Sequence, residues 1–179
     1  MMRTLCLQAP SFDGFDGGAG ARYQARREIR SFWYPTWLAQ VAAVVPGSKL
    51  IDATPHGLRL GDVVAKARDY DLVVLHTSTP SFASDVSVVE ALKAANPALK
   101  AGFVGAKVAV EPRSSLVASE AIDFVAGNEF DFTIKEIAEG RDWNTITGLS
   151  YRDAGGTIRH NAPRPILENM DELPFVTPV

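Results

Sequence analysis

Short apolar runs alternate with amphipathic segments along the first 140 residues. The apolar runs are rich in β-branched residues and bounded by Gly, Pro, Asp or Ser, which predicts strands. The five predicted strands are residues 4–8, 49–53, 72–77, 101–105 and 124–127. Between them, apolar residues recur at helical spacing, as at Val86, Val89 and Leu92. The five predicted helices are residues 35–45, 60–70, 83–96, 113–121 and 130–139.

Five successive strand–helix units predict a parallel sheet, because parallel strands need crossover connections and helical crossovers cover both faces. We expect a doubly wound, flavodoxin-like α/β fold with five parallel strands in the order 2-1-3-4-5. This order places a ligand crevice between the first and third strands. The loops that follow strands one, three, four and five form its walls.

The pattern changes after Gly140. Strand-like residues 146–151 and 157–160 flank the turn Asp153-Ala154-Gly155-Gly156, which predicts a β-hairpin. Four prolines then indicate an extended linker. We therefore divide the chain into an α/β domain, residues 1–140, and a hairpin and linker, residues 141–179, which we expect to lead to a further domain.

The amino-acid composition excludes several classes of partner and site. The chain has 179 residues, of which 18 are basic and 21 acidic, so no broad basic field favours nucleic acid as a partner. Cys6 is the only cysteine, which excludes an internal disulfide and an all-cysteine metal or iron–sulfur site in this sequence. It is typical of a buried core residue in a cytoplasmic protein. No apolar run approaches the ~20 residues of a membrane span.

Small and polar residues follow three consecutive predicted strands. They are Ser78 and Thr79 after the third strand, Gly105, Ala106 and Lys107 after the fourth, and Gly127, Asn128 and Glu129 after the fifth. Because the carboxyl ends of parallel strands share one sheet edge, these turns predict a ligand-binding rim. Each also has a structural interpretation, since Ser81 or Ser84 could cap a helix and Lys107 could be solvated. The sequence predicts no catalytic residue and no metal ligand.

The longest loop is residues 9–34, and loops of this length in compact domains usually have a function. Its Gly18-Ala19-Gly20-Ala21-Arg22-Tyr23 run is a weak dinucleotide fingerprint, because Tyr23 replaces the third glycine. Asp13 and Asp16 disfavour a flavodoxin phosphate loop. A phospho-receiver would need an Asp at the end of strand three, where Leu75-His76-Thr77-Ser78 stands.

Several segments in order resemble the N-terminal cobalamin-binding domain of class B radical S-adenosylmethionine enzymes. They are Gly127-Asn128-Glu129, Gly148-Leu149-Ser150-Tyr151-Arg152, Gly156-Thr157-Ile158-Arg159 and Asp171-Glu172-Leu173-Pro174. Three others are similar to a subgroup associated with hopanoid biosynthesis: Phe12-Asp13-Gly14-Phe15-Asp16-Gly17-Gly18, Ser31-Phe32-Trp33-Tyr34-Pro35 and Pro55-His56-Gly57-Leu58. In the superfamily, the three polar turns surround the corrin or its nucleotide tail.

This resemblance implies an accessory domain rather than a complete enzyme. The family's Cys-x-x-x-Cys-x-x-Cys motif is absent, so S-adenosylmethionine and a 4Fe–4S cluster are expected only in a missing C-terminal barrel, the expected partner. The subgroup implies a full-length enzyme that remodels the polar head group of a hopanoid lipid by forming a cyclitol ether. A lipid substrate would bring a cytoplasmic protein to the membrane surface.

Two differences from the family's motifs leave open whether and how cobalamin binds. Where relatives carry Asp-x-His-x-x-Gly, this chain has Phe15 at the ligand position, and His56 and His76 follow other strands. The Gly-Gly-x-His pattern of relatives is also replaced, by Gly105-Ala106-Lys107-Val108. Either cobalamin binds without a protein histidine ligand, or the fold persists with a lost or altered cofactor role. The alternative function is a stand-alone flavodoxin-like module for another small molecule or a protein.

Overall fold

The computed structural model describes residues 1–11 and 34–176. Its strands are β1 Thr4–Gln8, β2 Lys49–Asp52, β3 Leu72–His76, β4 Lys100–Val104, β5 Phe124–Ala126, β6 Leu149–Arg152 and β7 Ile158–His160. Its α-helices are α1 Thr36–Val44, α2 Leu60–Ala67, α3 Phe82–Ala95, α4 Ala106–Val110, α5 Pro112–Val117 and α6 Phe130–Ala138. Single 3₁₀ turns occur at Trp143–Thr145 and Met170–Glu172. The 9–34 loop lies mostly outside the described residues.

All seven strands form one mixed sheet in the order β2-β1-β3-β4-β5-β6-β7. The first five pair in parallel, and β6 and β7 continue the sheet antiparallel to β5 and to each other. The expected five-stranded sheet with a separate hairpin is therefore corrected to a seven-stranded sheet. The physical reason is that β5 would otherwise be an open edge, and β6 covers its backbone groups.

The central strands are buried on both faces. All five residues of β1 are buried, as are the first four of β3, which explains why both read as continuous apolar runs. In β6, buried and half-buried residues alternate, as expected for a strand near the edge of the sheet. The pattern of burial thus follows the position of each strand in the sheet.

Helices cover both faces and create two cores. Helices α2, α3, α4 and α5 share one core with Leu5, Leu7 and Phe103. Helices α1 and α6 lie on the other face, where Cys6 and Phe124 are buried between them and the sheet. Cys6 is fully buried, in agreement with its predicted core role.

Helix α4 was not predicted. Residues 106–108 were interpreted as loop, yet the helix begins directly after Gly105. Gly105 has φ of 120°, a conformation that residues with a Cβ atom rarely adopt, and it is the residue from which α4 begins. Pro112 then occupies the first turn of α5, where its missing N–H costs nothing, so the crossover consists of two short helices.

The segment 161–167, which we call the strap, runs from β7 across the β5–β6 connection to α6. The Gly148 N–H donates to the carbonyl of Ala162 at 2.7 Å. The Asn161 side-chain amide donates to the carbonyls of Trp143 and Ile146. Further on, Gln40 of α1 donates to the carbonyl of Pro174. The tail therefore lies against the α1/α6 side of the domain.

No helix in residues 1–11 and 34–176 has both the length and the apolar character that a membrane span requires. The division at residue 140 remains a prediction, although the sheet itself continues through β7.

Candidate functional site

The turn after β3 is stabilised by internal hydrogen bonds. The Thr77 hydroxyl donates to Asp85 at 2.8 Å, and both side chains are buried. The hydroxyls of Ser78 and Ser81 lie 2.9 Å apart, so Ser81 bonds within the loop rather than capping α3. Thr79 is exposed at the tip. Of the two predicted residues, Thr79 is therefore the more available to a ligand.

The turn after β4 approaches the turn after β3 very closely. A Cβ atom added at Gly105 would lie 2.5 Å from the Thr77 carbonyl oxygen and 3.2 Å from the His76 ring. The sequence interpretation assigned this small residue to close approach of a ligand. The structure shows that its first role is to let two neighbouring loops touch.

Ala106 and Lys107 both belong to the first turn of α4. Lys107 pairs with Glu111 one helical turn away, and its ammonium lies 5.3 Å from the centre of the Phe82 ring. A lysine so engaged is held against the protein surface rather than extended over the sheet edge.

The turn after β5 contacts the strap. The Gly127 N–H donates to the Gly148 carbonyl at 2.8 Å, and the Asn128 side chain is exposed. Glu129 has φ of 57°, in the left-handed region, and its carboxylate accepts a hydrogen bond from the Leu167 N–H at 3.3 Å. Two predicted residues of this turn, Gly127 and Asn128, line a cavity.

That cavity has a volume of about 370 Å³ and lies between α4, the β5–β6 edge and the strap. Its apolar lining residues include Val108, Ala109 and Val125. Its polar lining residues include Ser150, His160, Asn161 and Arg164. The Nδ1 atom of His160 lies 2.9 Å from the Ser150 hydroxyl. Ser78 and Thr79 do not line this cavity, so the structure does not bring all three predicted turns into it.

A second cluster of polar groups lies on the α1/α6 face at the carboxyl edge of the sheet. The Gln8 Oε1, Trp37 Nε1 and Asp131 Oδ1 atoms are buried and have no hydrogen-bond partner in the part of the chain that the structure describes. Gln8 closes β1 and shares a sheet face with Cys6, Trp37 lies in the first turn of α1, and Asp131 lies in the first turn of α6. We call these three residues the polar cluster.

His76 borders the polar cluster. Its ring centroid lies 4.8 Å from that of Trp37, with the two planes tilted by 39°. This contact places the end of β3 beside the start of α1, next to Gln8 of the neighbouring strand β1. The polar cluster therefore lies at the switch point between β1 and β3 that the strand order predicted.

Asp131 is the most perturbed carboxyl among the described residues. Burial raises its pKa from 3.8 to about 6; a backbone hydrogen bond lowers it, and the nearby Glu129 carboxylate raises it further. Burial, with a contribution from Asp131, also raises the pKa of the Cys6 thiol to about 12. Cys6 is therefore an unreactive thiol in the core.

Sequence analysis missed the polar cluster. Its signal was a polar side chain at the carboxyl end of an otherwise apolar strand, Gln8, next to the predicted crevice. Trp37 and Asp131 carried no separate signal, because a tryptophan in an amphipathic helix and an acid in a first helical turn are common structural features. No group of three or more metal-ligating side chains occurs among residues 1–11 and 34–176.

Comparison with known proteins supports the fold. No family model matches the chain. The chain is 30% identical over 159 residues to the uncharacterized methyltransferase PH0819 of Pyrococcus horikoshii. This match covers 84% of the chain and 34% of the relative, so the chain spans about a third of the relative's length.

Two solved structures have the same fold at 14% sequence identity. The radical S-adenosylmethionine methyltransferase TsrM from Kitasatospora setae, with cobalamin and a 4Fe–4S cluster bound, matches 97% of this chain and 31% of its own at a TM-score of 0.65. The cobalamin-dependent radical enzyme OxsB, with aqua-cobalamin and S-adenosylmethionine bound, matches 92% of this chain and 22% of its own at 0.56. The chain thus has the fold of part of two enzymes that bind cobalamin.

Replacing Gly105 by alanine tests the contact between the β3 and β4 turns. We expect Gly105→Ala to lower the free energy of unfolding by more than about 2 kcal/mol, because the new methyl meets the Thr77 carbonyl and the backbone keeps a positive φ. Gly47→Ala is the control, since Gly47 also has a positive φ but open space around it. Urea unfolding measures both; equal losses would contradict the close approach.

Replacing Asp131 by asparagine tests the burial of its carboxyl. The pKa of Asp131 is about 6 in the folded protein, compared with 3.8 for an ordinary aspartate, which we take for the unfolded chain. Ionising Asp131 therefore destabilises the fold as the pH rises from about 4 to about 6. We expect Asp131→Asn to stabilise the protein by on the order of 2 kcal/mol at pH 8 and to have little effect at pH 4. Urea unfolding at the two pH values measures this difference. A gain of equal size at both would show that the carboxylate is not destabilised by burial.

Proposed function

We propose that this chain is the cobalamin-binding domain of a radical S-adenosylmethionine enzyme. The observation that carries the proposal is the polar cluster, whose three unpartnered buried atoms lie at the switch point of a fold shared with TsrM and OxsB. Leaving a buried donor or acceptor unpaired costs about 1–3 kcal/mol. A ligand that supplies partners for Gln8, Trp37 and Asp131 would recover that cost.

The groups of the polar cluster suit an amide- and phosphate-bearing ligand such as cobalamin. Trp37 Nε1 is a donor and Gln8 Oε1 an acceptor, while Asp131, with a pKa near 6, can accept or donate according to its protonation. Trp37 and His76 add aromatic surface for a flat heterocycle. The residues present therefore fit a ligand with aromatic and hydrogen-bonding parts.

In this proposal each part of the chain has a positioning role. Gln8, Trp37 and Asp131 hold the nucleotide tail between α1 and α6. The turns at Ser78 and Thr79, at Gly105, Ala106 and Lys107, and at Gly127, Asn128 and Glu129 border the corrin at the sheet edge. Cobalamin supplies cobalt-centred radical chemistry when it is bound. S-adenosylmethionine and a 4Fe–4S cluster belong to a barrel that follows this domain in the full protein, and this domain alone is not catalytic.

The substrate is a finer proposal. The sequence segments similar to the hopanoid subgroup support a full-length enzyme that remodels the polar head group of a hopanoid, acting in the cytoplasm at the membrane surface. The relative PH0819 is called a methyltransferase, which favours methyl transfer as a second candidate reaction. Full-length protein is incubated with S-adenosylmethionine, a reductant and a hopanoid extract, and the products are analysed by mass spectrometry. A methylated product gains the mass of one CH₂ group, whereas cyclisation of the head group adds no carbon.

Replacing Gln8 by leucine tests the polar cluster. Gln8→Leu removes an unpartnered buried acceptor, so we expect stability to be unchanged or raised while the Kd for hydroxocobalamin rises about 5–10-fold. Thr4→Val is the matched control, because Thr4 is also a buried polar residue of β1 but lies at the opposite end of the strand. Isothermal titration calorimetry measures the Kd. Equal affinities for wild type and Gln8→Leu, with tight binding in both, would place the corrin elsewhere.

The absence of a histidine at position 15 predicts the spectrum of bound cobalamin. Electron paramagnetic resonance of the cobalt(II) form should lack strong splitting from a protein imidazole nitrogen. His76 contacts Trp37, and His160 lies beside Ser150, while His56 is exposed in the turn after β2. A nitrogen splitting that disappears in His76→Ala or His56→Ala would show that a protein histidine ligates cobalt.

A further inference from the structure

Glu129 adopts a backbone conformation that its residue type disfavours. Among the described residues it is the one non-glycine position with positive φ, at 57°. A left-handed backbone is costly for a side chain with a Cβ atom, and such strain persists where surrounding contacts enforce it. The hydrogen bond of the Glu129 side chain is therefore a reason for this residue to keep its left-handed backbone.

The Glu129 carboxylate holds the strap. Its Oε2 atom accepts from the Leu167 N–H at 3.3 Å, across 38 residues of sequence. The left-handed turn at Glu129 ends the β5 loop and begins α6, so one residue sets both the start of the helix and the position of the strap. Sequence analysis placed Glu129 against the ligand, whereas the structure commits its carboxylate to the protein backbone.

Arg164 holds the strap at a second point. Its guanidinium donates to the Thr133 hydroxyl and to Glu136, both at 2.8 Å, and to the Thr147 carbonyl at 3.3 Å. The Arg164 and Glu136 side chains are only 14% and 19% exposed, so this ion pair is shielded from water. The strap is thus bonded to α6 at two places. Leu167 is bonded to Glu129, directly before the helix, and Arg164 is bonded to Thr133 and Glu136 within it.

The strap completes the 370 Å³ cavity. The strap residues Asn161, Pro163, Arg164 and Ile166 line it together with Gly127 and Asn128 of the β5 turn. If the strap moved away, this cavity would become an open surface at the sheet edge. Glu129 and Arg164 hold the later part of the strap, whereas Asn161 and Ala162 are bonded to the domain at its start.

We propose that Glu129 and Arg164 are positioning residues that hold the strap as a wall of the ligand site, so that bound corrin leaves slowly. This inference rests on the proposed function, because it takes the corrin as the ligand retained. It changes the role of Glu129 from ligand contact to support of the site. It also assigns a role to Arg164, which the sequence did not single out.

The variant Glu129→Gly separates positioning from stability. Glycine tolerates the left-handed backbone, so the strain is relieved while the hydrogen bond to Leu167 is lost. We expect the urea midpoint to stay the same or rise, while hydrogen exchange at the Leu167 amide accelerates at least about fivefold. Dissociation of hydroxocobalamin should accelerate about 3–10-fold, a change that corresponds to one lost hydrogen bond.

Two substitutions, Arg164→Lys and Arg164→Ala, test the attachment of the strap through Arg164. Lysine keeps the charge but not the planar guanidinium that donates to three acceptors. Corrin should therefore dissociate from Arg164→Lys more slowly than from Arg164→Ala but faster than from the wild type. The matched control for charge is Glu168→Gln, because Glu168 lies one residue beyond the strap and makes no hydrogen bond or ion pair within the described part of the chain. Arg159→Ala is the control for Arg164, since Arg159 pairs with Asp153 in the hairpin instead. Both controls should behave as wild type.

Three results decide the proposal. Faster exchange at Leu167 together with faster corrin loss in Glu129→Gly and Arg164→Ala, but not in the controls, supports it. Faster exchange with unchanged corrin dissociation overturns the positioning role and leaves cobalamin binding intact. If wild-type protein binds no hydroxocobalamin, the proposed function fails and the positioning role fails with it, whereas the exchange rates still establish whether Glu129 holds Leu167.

Discussion

A buried polar group needs a hydrogen-bond partner, and this requirement shapes the carboxyl edge of the sheet. Some buried polar side chains of the described chain find partners within the protein, as Thr77 does with Asp85. Gln8 and Trp37, in contrast, have polar atoms that are buried and unpaired. They converge on the switch point between β1 and β3. This is the edge at which parallel sheets bind their ligands, so these unpaired groups lie where a ligand could supply their partners.

The same edge depends on backbone contacts that only particular residues permit. Gly105 lets the β4 turn touch the carbonyl of Thr77, and Thr77 is itself fixed by Asp85. On the other side of β5, Glu129 and Arg164 hold the strap against α6. These contacts join each loop to its neighbours within the protein itself. A preorganised rim reduces the entropy lost on binding.

Sequence patterns predicted most of the architecture because parallel strands are apolar throughout and their helices are periodic. Strand order 2-1-3-4-5 recurs in the observed sheet, and β1 and β3 were found within one residue of their predicted ends. The extension of the sheet by β6 and β7 was missed, because pairing between distant segments leaves no local signal. Helix α4 was missed because five residues are too few to show helical periodicity.

The candidate site was only partly predictable. Turn composition predicted a ligand rim at the carboxyl edge of the sheet, and this stays a prediction. Glu129 and Lys107 were assigned to the ligand, and in the structure both side chains contact the protein. Which way a polar side chain faces depends on its neighbours in three dimensions. The polar cluster escaped notice for the same reason: its members are far apart in sequence, and being unpaired is a property of the folded chain alone.

We propose that a corrin supplies the missing partners of the polar cluster. Nuclear magnetic resonance of the indole N–H groups, recorded with and without diamagnetic hydroxocobalamin, tests it most directly. Trp143 provides an internal reference, because its ring packs between Phe124 and Tyr151 away from the polar cluster. We predict that the Trp37 indole signal shifts and exchanges more slowly with solvent at saturation, while the Trp143 signal stays in place. An unchanged Trp37 signal in a protein saturated with corrin would contradict the account.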